Sequence, residues 1–271
     1  MLVVAAMRVW NPEEGWANRV GRKREGKIVE ILRRVTMTAH GLSHFPRQLL
    51  RMPRAALRKP NPALDLDSWL KTPEDLPATI NSQTLFGNDQ PLEIEVGSGK
   101  GLFIQTESDR RPEHNYFGIE IARKYAAHAA ARLAKRERAN AKMLAGDATP
   151  LFAVTDEGKR IEDGSLDGVH VYFPDPWWKK RHRKRRVLSH DNILNFSRCL
   201  RVGGRLHFWT DVLDYFELTV ELIAEIAPEL GVPLPETQRE STHDLDFHTH
   251  FERRSRKMGI PVYRVCYRKR S

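Results

Sequence analysis

From residue 91 onward, segments typical of buried strands alternate with segments typical of helices. Residues 92–96 alternate apolar and acidic side chains, residues 97–101 are rich in glycine, and residues 102–110 have a helical pattern. Strands separated by helices at this spacing are typical of a parallel sheet. The sequence therefore predicts an α/β fold with a doubly wound, mostly parallel, Rossmann-like sheet. Further strands are expected over residues 115–121, 141–145, 168–173, 205–211 and 262–267, and further helices over residues 122–140, 189–200 and 213–227.

The first 60 residues differ in composition from the rest of the chain. They contain 13 Lys or Arg residues against 4 Asp or Glu residues, and their prolines prevent long helices. We therefore expect a basic, poorly ordered extension over residues 1–60 and a single folded domain over residues 61–271. Within that domain, residues 65–75 are expected to form a short helix and residues 77–90 a loop.

The overall composition is typical of a soluble globular protein, with 40% hydrophobic and 30% charged residues. No apolar run is long enough to cross a membrane, and no basic residue precedes the apolar residues 1–7, as it would in a signal peptide. Cys199 and Cys266 fit no metal-ligand spacing. We expect a cytoplasmic protein, a monomer or a homodimer, with no membrane contact and no metal. The remaining candidate ligands, His182, His243, His248 and His250, fit no standard metal set and are expected to be solvated loop residues.

The net charge of +10 is concentrated in two parts of the chain. One is the N-terminal extension. The other is the run 179–186, in which seven of eight residues are Lys or Arg and His182 is the eighth. A nearly neutral body that carries such a basic patch is typical of a protein that binds a nucleic acid. A solvated run of charge without a partner is the alternative.

The basic run directly follows a predicted strand that ends in a carboxylate. Residues 169–173 are apolar, β-branched or aromatic, as in a buried strand. Pro174 and Pro176 flank Asp175, and because each proline fixes its own φ and favours an extended residue before it, the strand must end near Phe173. Asp175 is therefore expected at the C-terminal end of a parallel strand, where α/β sheets bind ligands.

The glycine-rich loop distinguishes between three classes of nucleotide-binding protein. Lys100 is followed by Gly101 rather than by Ser or Thr, and the Gly-x-Gly-x-x-Gly spacing is absent, so neither a P-loop nor a dinucleotide-binding loop fits. The string Glu95-x-Gly97-x-Gly99-x-Gly101 instead resembles the loop of S-adenosylmethionine-dependent methyltransferases with a Rossmann-like fold. Its glycines would allow the backbone to approach the methionine part of the cofactor closely. An ordinary tight turn between strand and helix is the alternative.

Acidic residues also mark the ends of the other predicted parallel strands. Glu120 lies where a carboxylate can accept both hydrogen bonds from a ribose diol, and Asp147 could accept one from the exocyclic amine of adenine. Asp175 and Asp211 end the next two strands. Because the ends of parallel strands meet at one edge of the sheet, we expect these carboxylates to surround one binding site. Any single one of them could instead cap the helix that follows it.

Taken together, these strings resemble the motif set of the bacterial tRNA (guanine-N7-)-methyltransferase family. The resemblance runs in order from about residue 85 to the C-terminus and does not include residues 1–60. Its most specific part is Asp-Pro-Trp-x-Lys-x-Arg-His-x-Lys-Arg-Arg at residues 175–186. The other matching strings are Glu95-Val-Gly-Ser-Gly-Lys-Gly101, Gly118-Ile-Glu120, Asp147-Ala148, Trp209-Thr-Asp211 and Thr249-His-Phe-Glu252.

The resemblance implies an enzyme that transfers a methyl group from S-adenosylmethionine to N7 of guanine 46 in the variable loop of tRNA. It also implies roles for three sets of residues. The residues implied to contact the cofactor are Glu95, Gly97, Gly99, Glu120, Asp147, Ala148 and Asp175. Those implied to contact the target guanosine are Lys179, Asp211, Thr249, His250, Phe251 and Glu252. Those implied to contact the rest of the RNA are Arg181, His182, Arg183, Lys184, Arg185 and Arg186.

The chemistry at guanine N7 limits what such an enzyme must do. N7 has a free in-plane lone pair, so no proton has to be removed from the nucleophile, and the main task is positioning. The product base is cationic, and we expect the Asp175 carboxylate to stabilise that charge as the catalytic group. Asp211 and Glu252 could accept hydrogen bonds from N1–H and the 2-amino group of guanine. Trp177 or Trp178 could stack on the base, although packing beneath the loop is the alternative for both.

Three other functions compete with this interpretation. A related methyltransferase could act on ribosomal RNA or DNA, but Asp-Pro-Trp differs from the Asn/Asp-Pro-Pro-Tyr/Trp motif of enzymes that methylate exocyclic amines. A non-catalytic RNA-binding protein would have no need for an acid at every strand end. A nicotinamide-dependent oxidoreductase is disfavoured by the glycine spacing.

Overall fold

The computed structural model describes residues 64–236 and 247–271, together with Leu57 and Asn61. The expected basic extension over residues 1–60 therefore lies outside the described residues, apart from Leu57, and the proposed boundary at residue 61 stays a prediction. Among the described residues, no helix is both long and apolar enough to cross a lipid bilayer.

The predicted doubly wound, mostly parallel sheet is confirmed. Among the described residues its strands are β1 (Leu70–Lys71), β2 (Leu92–Val96), β3 (Asn115–Glu120), β4 (Ala141–Ala145), β7 (Leu166–Tyr172), β8 (Leu200–Thr210), β9 (Leu234–Pro235) and β10 (Tyr263–Arg268), with a separate hairpin of β5 (Val154–Thr155) and β6 (Gly158–Lys159). These eight strands follow the spatial order β1-β4-β3-β2-β7-β8-β10-β9. The first six in this order are parallel to one another, whereas β10 is antiparallel to both β8 and β9.

Helices connect the strands and cover both faces of the sheet. The described α-helices are α1 (Ser82–Phe86), α2 (Leu102–Arg110), α3 (Arg123–Ala134), α4 (Thr149–Phe152), α5 (His190–Cys199), α6 (Leu213–Ile226) and α7 (His250–Lys257), and there are short 3-10 helices at Pro73–Asp75, Lys180–Arg185 and Pro228–Leu230.

The alternating side chains of β2 separate two differently composed layers. Leu92, Ile94 and Val96 belong to the larger hydrophobic core, which also contains apolar side chains of α5 and α6. Glu93 and Glu95 occupy the alternate positions and are buried on the other face. The central strand therefore places two carboxylates inside the protein, one of them next to the glycine-rich loop.

The register brings the C-terminal ends of the parallel strands to a common edge. Val96 pairs with Ile119, and Glu120 pairs with Ala145, so β2, β3 and β4 end close together. On the other side of β2, Val96 also pairs with Val171 of β7. Residues just beyond the strands thus converge on one edge, as predicted from the pattern of acids.

Two segments that precede β2 differ from the sequence-based expectation, and the helix expected over residues 122–140 ends at Ala134. The expected helix over residues 65–75 is wrong, because the chain forms β1 and the 3-10 helix Pro73–Asp75 instead, and the amide of Met143 donates to the carbonyl oxygen of Trp69 beside β1 (2.7 Å). The expected loop over residues 77–90 contains α1, which begins at an Asn81 cap that accepts from the amide of Thr84 and ends at Gly87, whose φ is 73°. Local capping and pairing with the sheet, rather than apolar periodicity, determine both segments.

Candidate functional site

The glycine-rich loop between β2 and α2 requires glycine at several positions. Gly97, Gly99 and Gly101 all have positive φ, at 84°, 54° and 69°. At Gly101 a Cβ atom would lie 2.5 Å from the Cβ of Ala129 on α3, so a side chain there would collide with a helix. The amides of Gly97 and Ser98 both donate to the carbonyl oxygen of Ile119, at 2.8 and 3.0 Å. The loop is therefore folded tightly against β3 and α3. Its backbone lies at the edge of the sheet where the parallel strands end, which we call the strand-end edge.

Glu120 links the end of β3 to the glycine-rich loop. One carboxylate oxygen, Oε2, accepts a hydrogen bond from the amide of Gly99, and the other, Oε1, accepts one from the amide of Ala122, both at 2.8 Å. Each carboxylate oxygen can accept more than one hydrogen bond, so lone pairs remain for a ligand diol. Glu120 thus holds the loop in addition to the ligand-binding role that the sequence predicted for it.

Glu95 is a second buried carboxylate beside the loop. It is only 2% exposed, and its Oε2 atom has no hydrogen-bond partner among the described residues. Burial, reinforced by the negative charge of Glu120 and opposed by a hydrogen bond from Ser98, raises the pKa of the Glu95 carboxyl to about 8. A buried acceptor without a partner next to this loop fits a cationic ligand, such as the ammonium or sulfonium group of S-adenosylmethionine.

Asp147 and Ala148 follow β4. Asp147 is exposed, and its Oδ1 atom accepts from the amide of Thr149, the first residue of α4, at 2.9 Å. The N-cap position of α4 is occupied by Ala148, which is buried, so Asp147 lies one residue before the cap. A contact between Asp147 and an adenine amine stays a prediction, and it would use the carboxylate oxygen that does not accept from Thr149.

Ile121 is a residue that the sequence reasoning missed. It lies directly after Glu120 and is 75% exposed, which is unusual for an isoleucine beside a buried strand. An exposed apolar side chain at this edge can pack against an apolar surface of a ligand. The signal was present in the sequence as an apolar residue just beyond a strand-end acid, but its exposure could not be derived from the pattern alone.

A backbone with positive φ connects β7 to the basic run. Phe173 and Trp177 have φ values of 51° and 41°, a conformation that bulky residues rarely adopt. The amide of Phe173 donates to the carbonyl oxygen of Trp209 (2.7 Å), and the Phe173 ring stacks on Phe251 at 5.8 Å. These contacts hold the start of the loop, and Asp175, two residues later, is exposed at the strand-end edge. Such strained conformations occur where function demands a specific geometry.

The basic run begins with a 3-10 helix, Lys180–Arg185, and its arginines cover the two tryptophans. The guanidinium group of Arg185 lies 5.4 Å from the ring centre of Trp177, and that of Arg186 lies 5.7 Å from the ring centre of Trp178. Trp178 is 39% exposed and Trp177 is half-buried, so neither is a core residue. The Nε–H of Arg186 also donates a hydrogen bond to the carbonyl oxygen of Pro176 at 2.8 Å, which fixes the position of this side chain.

The remaining RNA-binding candidates of the run show varied exposure. Arg181 and Lys184 are exposed, as is Lys179, which the resemblance implies to contact the guanosine. His182 is half-buried, its amide donates to the carbonyl oxygen of Lys179 (2.7 Å), and its ring meets the Trp177 ring edge-on. Arg183 lies within the 3-10 helix.

Residues 247–257 meet the strand-end edge where Phe251 stacks on Phe173. The Thr249 side chain accepts from the amide of Glu252 at 3.0 Å and so caps α7. Glu252 is fully buried, and its oxygens accept from the amide of His248 (2.7 Å) and from the guanidinium groups of Arg256 (2.5 Å) and Arg264 (3.2 Å). Burial alone would raise the pKa of Glu252, but the side chain of His248 and the guanidinium groups of Arg256 and Arg264 outweigh it and lower the pKa to about 2. The predicted hydrogen bond from guanine to Glu252 would therefore require one of these partners to move.

Asp211 and His250 have altered acidity. Burial raises the pKa of Asp211, whereas a backbone hydrogen bond and the nearby Arg254 lower it in part. Burial and neighbouring cations lower the pKa of His250 to about 4, so the imidazole is neutral at pH 7. The expectation of solvated histidines is wrong for His248, which is buried and packs against the Trp209 ring at 4.6 Å. His243 lies outside the described residues.

Buried polar groups behind β7 keep its last residue in place. Burial would raise the pKa of Glu93, but His114, His170 and Arg111 lower it well below its usual value. The group is therefore a carboxylate, and it accepts a hydrogen bond from Nε2–H of His170 at 2.6 Å. The other ring nitrogen of His170, Nδ1, then accepts from the hydroxyl of Tyr172 (2.9 Å). This chain of hydrogen bonds fixes the ring of Tyr172, the residue that precedes the strained loop.

Two groups of side chains among the described residues could hold a metal ion. One consists of His207, Glu236 and Cys266, whose ligand atoms lie within 4.8 Å of one another. In this group Nδ1 of His207 already lies 2.8 Å from Glu236, and the Glu236 carboxylate also accepts from the Trp209 indole, so a hydrogen-bonded ion pair explains the cluster. The second group contains Glu93, which pairs with histidines and an arginine. The absence of a metal stays a prediction.

Comparison with known proteins identifies the family. The profile of a family described as "Putative methyltransferase" matches residues 89–265. The chain is 35% identical over 195 residues to a tRNA (guanine-N(7)-)-methyltransferase of Streptococcus pneumoniae (strain CGSP14), an alignment that covers 70% of this chain and 87% of that one. It is also 35% identical to the enzyme of the same name from Bacillus licheniformis over 186 residues, covering 67% of this chain and 82% of that one.

Among solved structures, a 16S rRNA methyltransferase, KamB, superposes with a TM-score of 0.49 and 13% sequence identity over 70% of this chain and 92% of that chain. At that level the similarity adds nothing to the identification, which depends on the sequence relatives. The match to the profile covers more than half of the chain, and the relatives are covered over most of their length. The chain therefore belongs to the tRNA (guanine-N(7)-)-methyltransferase family.

Proposed function

We propose that this S-adenosylmethionine-dependent methyltransferase acts on N7 of guanine 46 in the variable loop of tRNA. The observation that supports this proposal most directly is the strand-end edge itself. There the Glu120 carboxylate holds the glycine-rich loop, and Glu95 keeps beside it an acceptor that has no partner in the described part of the chain. A tRNA substrate would place the reaction in the cytoplasm, and either a monomer or a homodimer would be compatible with it.

The cofactor would lie along the glycine-rich loop. When bound, S-adenosylmethionine supplies an electrophilic methyl group on a sulfonium centre. Glu95 would face the cationic part of the ligand, because a buried carboxylate is stabilised in its ionised form by an adjacent positive charge. Glu120 would accept from the ribose and Asp147 from adenine, while the backbone of Gly97 and Gly99 allows close approach. Ala148 and Asp175 complete the proposed set.

The target base would enter between the loop after β7 and α7. Asp175 is exposed at this edge, and its carboxylate would stabilise the positive charge that develops on the guanine ring as N7 is alkylated. Asp211 has a raised pKa that reflects its partial burial, and a carboxylate in such a place discriminates well between guanine and adenine. The stacked pair of Phe173 and Phe251, with Phe251 44% exposed, offers an aromatic surface for a base that has left its stack.

The basic run would hold the RNA backbone. Arg181, Lys184 and Arg185 are exposed on or beside the 3-10 helix that follows the strained loop, a few residues from Asp175. Phosphate contacts of this kind fix the position of the RNA, whereas base selection depends on the groups at the strand ends.

The test is a methyl-transfer assay with labelled S-adenosylmethionine and a tRNA transcript that lacks modifications, followed by digestion and identification of the labelled nucleoside. We expect label in 7-methylguanosine at position 46. A transcript in which guanine 46 is replaced by adenine is the matched control and should accept no label. Label at another position, or in ribosomal RNA only, would contradict the proposal.

A further inference from the structure

A second group of basic residues lies beside the glycine-rich loop. It consists of Lys100 in the loop, His128 and Arg132 on α3, and His250 and Arg253 on α7, and we call it the α3–α7 surface. These five residues come from three separate parts of the chain. The motif strings imply a guanosine contact for His250 but assign no RNA-binding role to the rest of this surface.

Direct contacts bring the three parts together. Nη1 of Arg132 lies 3.4 Å from Nε2 of His250, although the two residues are 118 positions apart. A guanidinium group can only donate, so Nε2 of His250 must accept and the imidazole is neutral. On the other side, the absence of a Cβ at Gly101 allows Ala129 of α3 to touch the loop, which places Lys100 and His128 on neighbouring backbone.

The electrostatic surroundings of His250 are consistently positive. Besides burial, the groups that lower its pKa are Arg132, Arg253, Lys100 and His128, in that order of size. Burial, Arg136 and Arg253 likewise lower the pKa of Arg132. A concentration of cations that disfavours further positive charge is a favourable place for an anion.

The α3–α7 surface is continuous with the proposed base-binding edge. Phe251, the residue after His250, stacks on Phe173 at the start of the strained loop. The surface therefore adjoins, through this aromatic pair, the loop that leads to the basic run at 179–186. An RNA strand whose target base reaches Asp175 would have backbone on both sides of that base.

We propose that the α3–α7 surface binds phosphate groups of the RNA substrate next to the target nucleotide, so that the RNA backbone is held on both sides of the base. This inference depends on the proposed RNA substrate. It assigns to Arg132 and Arg253 a positioning role in which each neutralises phosphate charge and neither touches the reacting atoms.

The experiment measures the affinity of the full chain for unmodified tRNA at several KCl concentrations. In the double variant Arg132→Gln, Arg253→Gln we expect weaker binding and a slope of log affinity against log salt that is reduced by up to about 2, since each neutralised phosphate contributes about 0.9 to the slope. The charge-retaining variant Arg132→Lys, Arg253→Lys should keep most of the slope. The matched control is Arg205→Gln, Arg268→Gln, which removes two exposed arginines at register positions of β8 and β10 and should not alter it.

Three further measurements make the result decisive. Thermal unfolding shows whether the variants are folded, and calorimetric titration with S-adenosylmethionine shows whether cofactor binding is intact. If the glutamine variant binds tRNA with the wild-type slope, or loses only cofactor affinity because the surface holds the cofactor's carboxylate, the inference is wrong. The wild-type chain could fail to methylate tRNA while the salt dependence of tRNA binding still changes in the Arg132→Gln, Arg253→Gln variant. That result would contradict the proposed function but support RNA binding by the α3–α7 surface.

Discussion

The Oε2 atom of Glu120 accepts a hydrogen bond from the amide of Gly99 at 2.8 Å, so the acid at the end of one strand fixes the loop that follows its neighbour. The carboxylate is mostly buried and its second oxygen accepts from Ala122. Removing it would leave two backbone donors without their acceptor. The loop conformation, and not only a ligand contact, therefore depends on this side chain.

We predict that Glu120→Ala destabilises the protein by about 1–3 kcal/mol and weakens S-adenosylmethionine binding in addition. Denaturant unfolding and calorimetric titration measure the two effects separately. Glu157→Ala, in the exposed hairpin turn, is the matched control and should change neither. Normal stability with reduced cofactor affinity would mean that the hydrogen bond to Gly99 contributes little to the fold.

A second prediction concerns the buried Glu95 carboxyl, whose pKa is about 8. At pH 7 the free protein therefore holds a proton there, and a cationic ligand would displace it. We expect affinity for S-adenosylmethionine to rise between pH 6 and pH 8, with about one proton released on binding. Calorimetry in buffers of different ionisation enthalpy counts that proton. Glu95→Gln should abolish both the release and the pH dependence, and proton release that persists in this variant would exclude Glu95 as its source.

The same carboxyl group should affect stability, with a sign that can be worked out. Its pKa in the folded state lies above its usual value of 4.5, so the folded state binds more protons than the unfolded state between about pH 4.5 and pH 8. The contribution of Glu95 to stability therefore becomes less favourable as pH rises through that window. Relative to wild type, Glu95→Gln should gain stability from pH 5 to pH 9 in denaturant unfolding. A constant difference across that range would show that the carboxyl group does not titrate there.

Much of the fold could be predicted because β2 alternates strictly. Leu92, Ile94 and Val96 reach one core while Glu93 and Glu95 face the other side, and this period of two is visible in the sequence. The ends of β2, β4 and β7 could also be located, since Gly97 and Gly146 directly follow the first two and Pro174 lies two residues after the third. What could not be derived was α1, a five-residue helix that depends on its Asn81 cap.

The candidate site was predictable in its position but not in its contacts. The bond between Glu120 and Gly99 depends on the register of two strands, which no local pattern encodes. Glu252 lies in a highly polar segment that suggests exposure, yet it is fully buried because Arg264 arrives from β10 to pair with it. Long-range ion pairs of this kind leave no periodic signal.

Asp175 gives the third prediction. Because its side chain is exposed, Asp175→Ala should change the free energy of unfolding by no more than about 0.5 kcal/mol. Methyl transfer under single-turnover conditions should nevertheless be lost, since the carboxylate is the proposed stabiliser of the cationic base. Asp156→Ala, another exposed acid, is the control and should be fully active. An Asp175→Ala variant with near-normal turnover would remove this residue from the mechanism.

The fourth prediction concerns the basic run. Neutralising Arg181, Arg183 and Arg185 together should weaken tRNA binding and reduce the log–log salt slope by up to about 3. Arg185 also covers Trp177, so Arg185→Lys serves as a check that charge, rather than this stacking contact, controls the slope. A triple variant with the wild-type slope would show that the run does not face the RNA.

The fifth prediction separates structure from substrate recognition at Glu252. Its carboxylate accepts from Arg256 and Arg264 in a fully buried position, so Glu252→Gln leaves two guanidinium groups with an uncharged partner. Breaking a buried pair in this way costs about 3–5 kcal/mol. The pKa of Glu252 is lowered to about 2, so its contribution to stability is complete above pH 4.5 and is lost as pH falls towards 2.

The difference in stability between wild type and Glu252→Gln should therefore shrink in acid, which denaturant unfolding at pH 7 and pH 3 can measure. If Glu252 serves only the fold, the variant assayed at a temperature where it remains folded should keep its discrimination between guanine and adenine at the target position. If discrimination is lost while the variant is folded, Glu252 contacts the base, and one of its arginine partners must move aside when the RNA binds.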